Sequence, residues 1–84
     1  MAVDLEKQIQ ILKSHPVFNE VVRNIGAGHR INTIVVLLQN GSWLELEFTE
    51  TLSGKTRVGY WDIPKPDAST QMLLDYLQSE HTRN

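Results

Sequence analysis

The stretch Ile31–Thr49, reading INTIVVLLQ-NG-SWLELEFT, constrains the fold more than any other part of this chain. Asn40-Gly41 joins two strand-like runs, and that dipeptide suits a two-residue type I′ turn because both central residues need positive φ. A two-residue loop sets Gln39 opposite Ser42, Leu37 opposite Leu44, Val35 opposite Leu46 and Thr33 opposite Phe48. Alternation then gathers Val35, Leu37, Leu44, Leu46 and Phe48 on one uncharged core face. The other face carries Ile34, Val36 and Leu38 from the first strand beside Trp43, Glu45, Glu47 and Thr49 from the second. The second run alternates as a strand with one wet side does. The first is apolar on both sides, which places it mid-sheet or requires its outer side to be covered by another element or a second molecule.

Helical periodicity flanks this hairpin. Asp4 is placed to cap a helix running to about Ser14, with Leu5, Ile9 and Leu12 on one stripe and Ile11 broadening it. Pro16 interrupts that helix and suits the first turn of a second, capped by Ser14 or His15. Phe18, Val21, Val22 and Ile25 continue at helical spacing to Gly26, which stands where a left-handed residue ends a helix. The N-terminal quarter therefore reads as two short helices or one kinked one. Gly26-Ala27-Gly28-His29-Arg30 reads as the loop into the first strand.

Beyond the hairpin, Thr51-Leu52-Ser53-Gly54 turns the chain, and Lys55–Ile63 reads as a third strand with Val58, Tyr60 and Trp61 favouring sheet. Two registers are open. A two-residue Ser53-Gly54 loop turns Trp61 to the core face. A three-residue loop with a left-handed Gly54 in a G1 bulge turns Val58 and Tyr60 inward and Trp61 outward, and is favoured because it leaves Gly59 on the open face. Ile63-Pro64-Lys65-Pro66 is an extended connection. Asp67 or Ser69 then caps a last helix to about His81, with Leu73, Tyr76 and Leu77 as its stripe, Met72 and Leu74 at the margins, and a frayed tail at His81-Thr82-Arg83-Asn84.

These elements predict a single α+β domain over residues 1–84. It is a two-layer sandwich in the order α(α)-β-β-β-α: a three-stranded antiparallel meander with an N-terminal helix (or two short helices) and a C-terminal helix. The element order resembles that of the double-stranded-RNA-binding domain. That family opens its final helix with a basic cluster, and the corresponding Pro66-Asp67-Ala68-Ser69-Thr70-Gln71 holds an acid and no lysine or arginine. No residue motif carries over, and element order does not confer function.

The composition narrows the chemistry. Absence of cysteine among the 84 residues removes disulfides and thiolate ligands, and the histidines His15, His29 and His81 have no metal-ligand spacing. A formal net charge of −2, with both signs mixed along the chain, lacks the basic footprint of a nucleic-acid binder. With no leader segment and no apolar run near the ~18 residues of a membrane span, the expected setting is soluble and cytoplasmic.

Four candidate sites follow. The glycine loop 26–28 with Arg30 leaves a helix C-terminus, the wrong polarity for a phosphate cradle, and reads as a helix cap and turn. Glu45 and Glu47, roughly 6.5–7 Å apart along one strand face, could support acid–base or cation chemistry. Their plainer reading is a solvated face paired with Arg57 or Lys55. Arg23, Arg30, Lys55 and Arg57 form a nucleic-acid alternative only if the fold gathers them. Ile34, Val36, Leu38, Trp43 and Trp61 form the expected protein interface, since an uncovered apolar patch rimmed by aromatics is a docking surface. The chain therefore reads as a small non-enzymatic interaction or regulatory module, without catalytic residues, cofactor or metal, that binds itself or another protein.

Overall fold

The computed structural model describes residues 3–62 and 66–82, with the side chains of Trp61, Asp62 and Thr82 left outside the description. Its elements are α1 (Leu5–Lys13), α2 (Phe18–Val21), β1 (Val22–Ala27), β2 (Thr33–Leu38), β3 (Trp43–Glu50), β4 (Thr56–Asp62) and α3 (Ala68–Thr82). The strands form one antiparallel sheet in the order β1-β2-β3-β4, with the helices on one side. The α+β class stands, but the sheet has four strands where three were expected. The predicted connection through Ile63-Pro64-Lys65 lies outside the described residues, as does the Arg83-Asn84 end of the tail.

The additional strand is β1, which replaces most of the expected second helix. That helix stops after four residues, at Val21. A single helical turn has little stability of its own, and Val21, Val22 and Ile25 are branched residues that suit a strand. β2 offers an open edge, and Val22–Ala27 takes it, pairing Ile25 with Val36 and Ala27 with Ile34 across a bulge between Val22 and Asn24. Gly26, expected to end a helix, is instead a strand residue opposite Val35. β2 thus lies mid-sheet, the first of the two positions its doubly apolar sequence allowed.

A second correction concerns register. Leu38 N–H donates to Ser42 O (2.8 Å) and Gly41 N–H donates to Leu38 O (3.0 Å), so the loop contains Gln39, Asn40 and Gly41. Gly41 has φ +89°, closing the type I turn with a left-handed residue in the three-residue bulged hairpin. Asn40 Oδ1 accepts from Ser42 N–H at 2.9 Å and stiffens it. One added loop residue shifts the pairing by one, giving Val36 opposite Leu44, Ile34 opposite Leu46, and Leu37 opposite Trp43. Because side chains alternate with period two, the slip exchanges the faces of β2. Ile34, Val36 and Leu38 face the helices; Val35 and Leu37 face away.

The β3–β4 hairpin uses the same device. Gly54 N–H donates to Thr51 O (2.9 Å), Thr51 N–H donates to Lys55 O (2.7 Å), and Gly54 has φ +85°. Val58 stands opposite Phe48 and Tyr60 opposite Leu46, the favoured inward register.

The core lies between sheet and helices. Ile34, Val36, Leu38, Leu44, Leu46 and Phe48 meet Leu12, Phe18 and Val21 from the N-terminal helices and Leu73, Leu74 and Leu77 from α3. Residual space among these side chains is only ≈ 10 Å³, at most room for a single water molecule. Each long helix is capped by an aspartate: Asp4 Oδ1 accepts from Lys7 N–H (3.1 Å), and Asp67 Oδ1 accepts from Thr70 N–H (2.8 Å). Those Thr70 hydrogen bonds hold the Asp67 carboxyl below its ordinary range by favouring the charged form.

Candidate interaction surface

Among the described residues no helix lies over the outer side of the sheet. β2 contributes Val35 and Leu37, both half-buried by their neighbours, and β3 contributes Trp43, Glu45 and Glu47. Trp43 is 48% exposed beside Leu37. An open hollow of ≈ 170 Å³ runs along β1 and β2, lined by Asn24, Gly26, Val35 and Leu37 among others. It exists because Gly26 brings no side chain to the space: a Cβ there meets nothing within 4 Å.

The far end of this side is closed by the β1–β2 loop. Thr33 Oγ1 donates to Arg30 O at 2.6 Å, and Gly28 lies so close to the Thr33 side chain that a Cβ would collide with it. Thr33 is therefore fully buried although it stands on the outward register. From the same loop Arg30 reaches Glu45, with Nη2 at 2.5 Å from Oε1. The partner of Glu45 is thus Arg30, whereas Arg57 or Lys55 was expected; Arg57 sits opposite Thr49. With the Arg30 side chain half-exposed, the pair contributes a few tenths of a kcal/mol, on the order of other surface ion pairs.

The predicted interface set divides. Ile34, Val36 and Leu38 are 0%, 3% and 5% exposed beneath the protein's own helices, so they hold the two layers together and offer nothing to a partner. Trp43 lies on the outer side as expected. Trp61 occupies the β4 position opposite Glu45, and its side chain lies outside the described residues. Val35 and Leu37, assigned from sequence to the core, take the outer positions instead. The larger apolar set was the missed signal: Ile34, Val36 and Leu38 supply three β2 residues to the core where the two-residue loop supplied two.

The alternative cation set is not gathered. Arg23 lies at the start of β1, with Nη2 3.5 Å from Gln39 O, and Arg30 serves Glu45. Lys55 and Arg57 lie at the opposite end of the sheet and on its other edge. Glu45 and Glu47 do share a face, but among the described residues no group of three His, Asp or Glu side chains could hold a metal ion. Nor is any helix there long and apolar enough to cross a membrane.

The histidines have separate roles. His15 Nδ1 accepts from Val17 N–H (3.2 Å), and its ring lies 4.7 Å from that of Tyr76. His29 is exposed in the β1–β2 loop. His81, on the last turn of α3, meets Phe48 edge-on, and its Nε2 hydrogen-bonds Gln8 Oε1, tying α3 to α1. Partial burial lowers the His81 pKa below its ordinary value, helped by the Lys7 ammonium and opposed by the Glu80 carboxylate.

Comparison with protein-family models, with curated proteins and with solved structures finds no match to this chain.

Proposed function

We propose that the chain is a non-enzymatic interaction module that pairs with a second copy of itself through the outer side of its sheet. The observation that carries this reading is the apolar strip Val35, Leu37 and Trp43, which no helix covers among the described residues. Two such strips related by a two-fold axis are self-complementary, and the Arg30 and Glu45 beside them can exchange partners across the axis.

The size of the surface sets the strength. Four strands about 4.8 Å apart and six residues long at about 3.3 Å present roughly 400 Å² in projection per copy. Two copies together cover roughly 800 Å², below the roughly 1,200 Å² at which stable specific interfaces begin, so the dimer is weak and concentration-dependent. Sedimentation velocity from micromolar to millimolar protein tests this. The expected result is a monomer–dimer equilibrium that Leu37→Glu abolishes while the monomer stays folded. A strict monomer throughout, or a dimer indifferent to Leu37→Glu, overturns it.

A further inference from the structure

A sizeable hollow lies at the opposite end of the sheet from Arg23, where the β3–β4 hairpin approaches the last turns of α3. Its volume is ≈ 390 Å³, within the range of small-molecule sites. Lys55, Thr56 and Arg57 line it from the edge strand, Arg57 standing on the outward register opposite Thr49 at that edge, and Gln78 and His81 line it from the helix. Thr51, Ser53 and Thr56 add hydroxyls, and none of the described residues lining it is an aspartate or glutamate.

We propose that this hollow binds a small phosphate-bearing ligand, with Lys55 and Arg57 supplying the charge and the hairpin hydroxyls and Gln78 supplying further donors. The donor count supports an oxyanion. Thr51 Oγ1 and Ser53 Oγ lie 2.9 Å apart, and one hydrogen bond between two hydroxyls uses one proton, so the second remains a donor. Thr51 Oγ1 also accepts from Lys55 N–H (3.1 Å), which fixes the hairpin tip before a ligand arrives. A tetrahedral phosphate, with oxygens in several directions, suits donors converging from a strand edge, a turn and a helix better than a planar carboxylate does.

The local field points the same way. At His81 the Lys7 ammonium acts more strongly than the Glu80 carboxylate, and Lys55 and Arg57 line the hollow beside it in a chain of formal net charge −2. The C-terminal end of α3 repels anions, so attraction rests on these side chains and not on a helix dipole. That makes Lys55 and Arg57 the decisive positions.

The test is an amide NMR titration of the full chain with inorganic phosphate, against sodium chloride at matched ionic strength. The expected result is saturable shifts confined to residues 51–57 and 78–81, with a dissociation constant on the order of millimolar for so small a probe. Both side chains are exposed, so Lys55→Ala and Arg57→Ala should keep the native spectrum while weakening phosphate binding about tenfold each. Arg23→Ala, at the distant corner, should leave it unchanged. Linear shifts shared with chloride, saturation elsewhere, or undiminished binding in the Lys55→Ala/Arg57→Ala double variant overturns the assignment. None of these outcomes depends on self-association, which Leu37→Glu tests separately.

Discussion

The two sides of the sheet are built from the same strands and nearly the same residue types, yet they do opposite work. β2 reads Thr-Ile-Val-Val-Leu-Leu, and its alternate residues go to a sealed interior and to an open surface. Ile34 is fully buried in the core between sheet and helices, while Val35, its neighbour, lines an open hollow. Hydrophobicity does not separate them, since both are branched aliphatics. The separation comes from the parity imposed by a three-residue loop. Deleting Leu37 breaks the comparison most severely. With the Gln39-Asn40-Gly41 loop kept, Val36 falls opposite Trp43 and Val35 opposite Leu44, which turns Ile34 and Val36 away from the helices. The expected outcome is loss of the cooperative urea transition and of amide dispersion; a folded variant with native-like dispersion would show that the helices, not the loop, choose the face.

Truncation on each side sharpens the same contrast. Phe48 is 1% exposed at the centre of the inner layer, and Phe48→Ala should cost about 3–5 kcal/mol through lost burial and the cavity left behind. A domain of this size buries only about 60% of its unfolded surface, so that loss approaches its whole stability. Leu37→Ala on the outer side removes a half-buried side chain and should cost about 1 kcal/mol at dilutions where only monomer is present. Urea melts of both variants under identical conditions measure the ratio. Comparable losses would mean that the outer side is covered in solution even in the monomer.

How much of this was legible in the sequence follows from the same parity. The strands β2, β3 and β4, both aspartate caps and the α3 stripe Leu73–Leu77 follow from local periodicity and capping chemistry, which act within a few residues. The β3–β4 register could be favoured correctly because a lone glycine on the open face pointed one way. At Asn40-Gly41 the dipeptide satisfies two loops, a type I′ turn or the last two positions of a bulged one, and only the competition between whole faces decides. β1 was obscured for a different reason. Phe18, Val21, Val22 and Ile25 fit a helical stripe, and what makes Val22–Ala27 a strand is the exposed edge of β2, a partner distant in sequence. The Arg30–Glu45 pair and the hollow between Lys55 and His81 depend on that tertiary arrangement, so no local pattern announced them.

His81 carries the smallest expected effect and belongs wholly to the covered side. Its ring lies against Phe48, and Gln8 Oε1 accepts from its Nε2, so the imidazole carries its proton there. Partial burial disfavours a second proton, and Lys7 opposes it further while Glu80 favours it. The folded pKa is therefore below 6.5, the ordinary value held in the unfolded chain. As pH falls below 6.5 the unfolded chain takes up the proton first, so this residue's contribution to stability is present above that pH and declines below it. The decline ends once pH has passed through the lowered folded pKa, where both states are protonated. A histidine Cε1–H NMR titration in phosphate-free buffer should place His81 below 6.5, and His81→Asn should flatten that part of the urea midpoint's fall between neutral and mildly acidic pH. A His81 titration above 6.5 would reverse the sign, and would mean that Glu80, not burial and Lys7, governs the ring at the seam between α1 and α3.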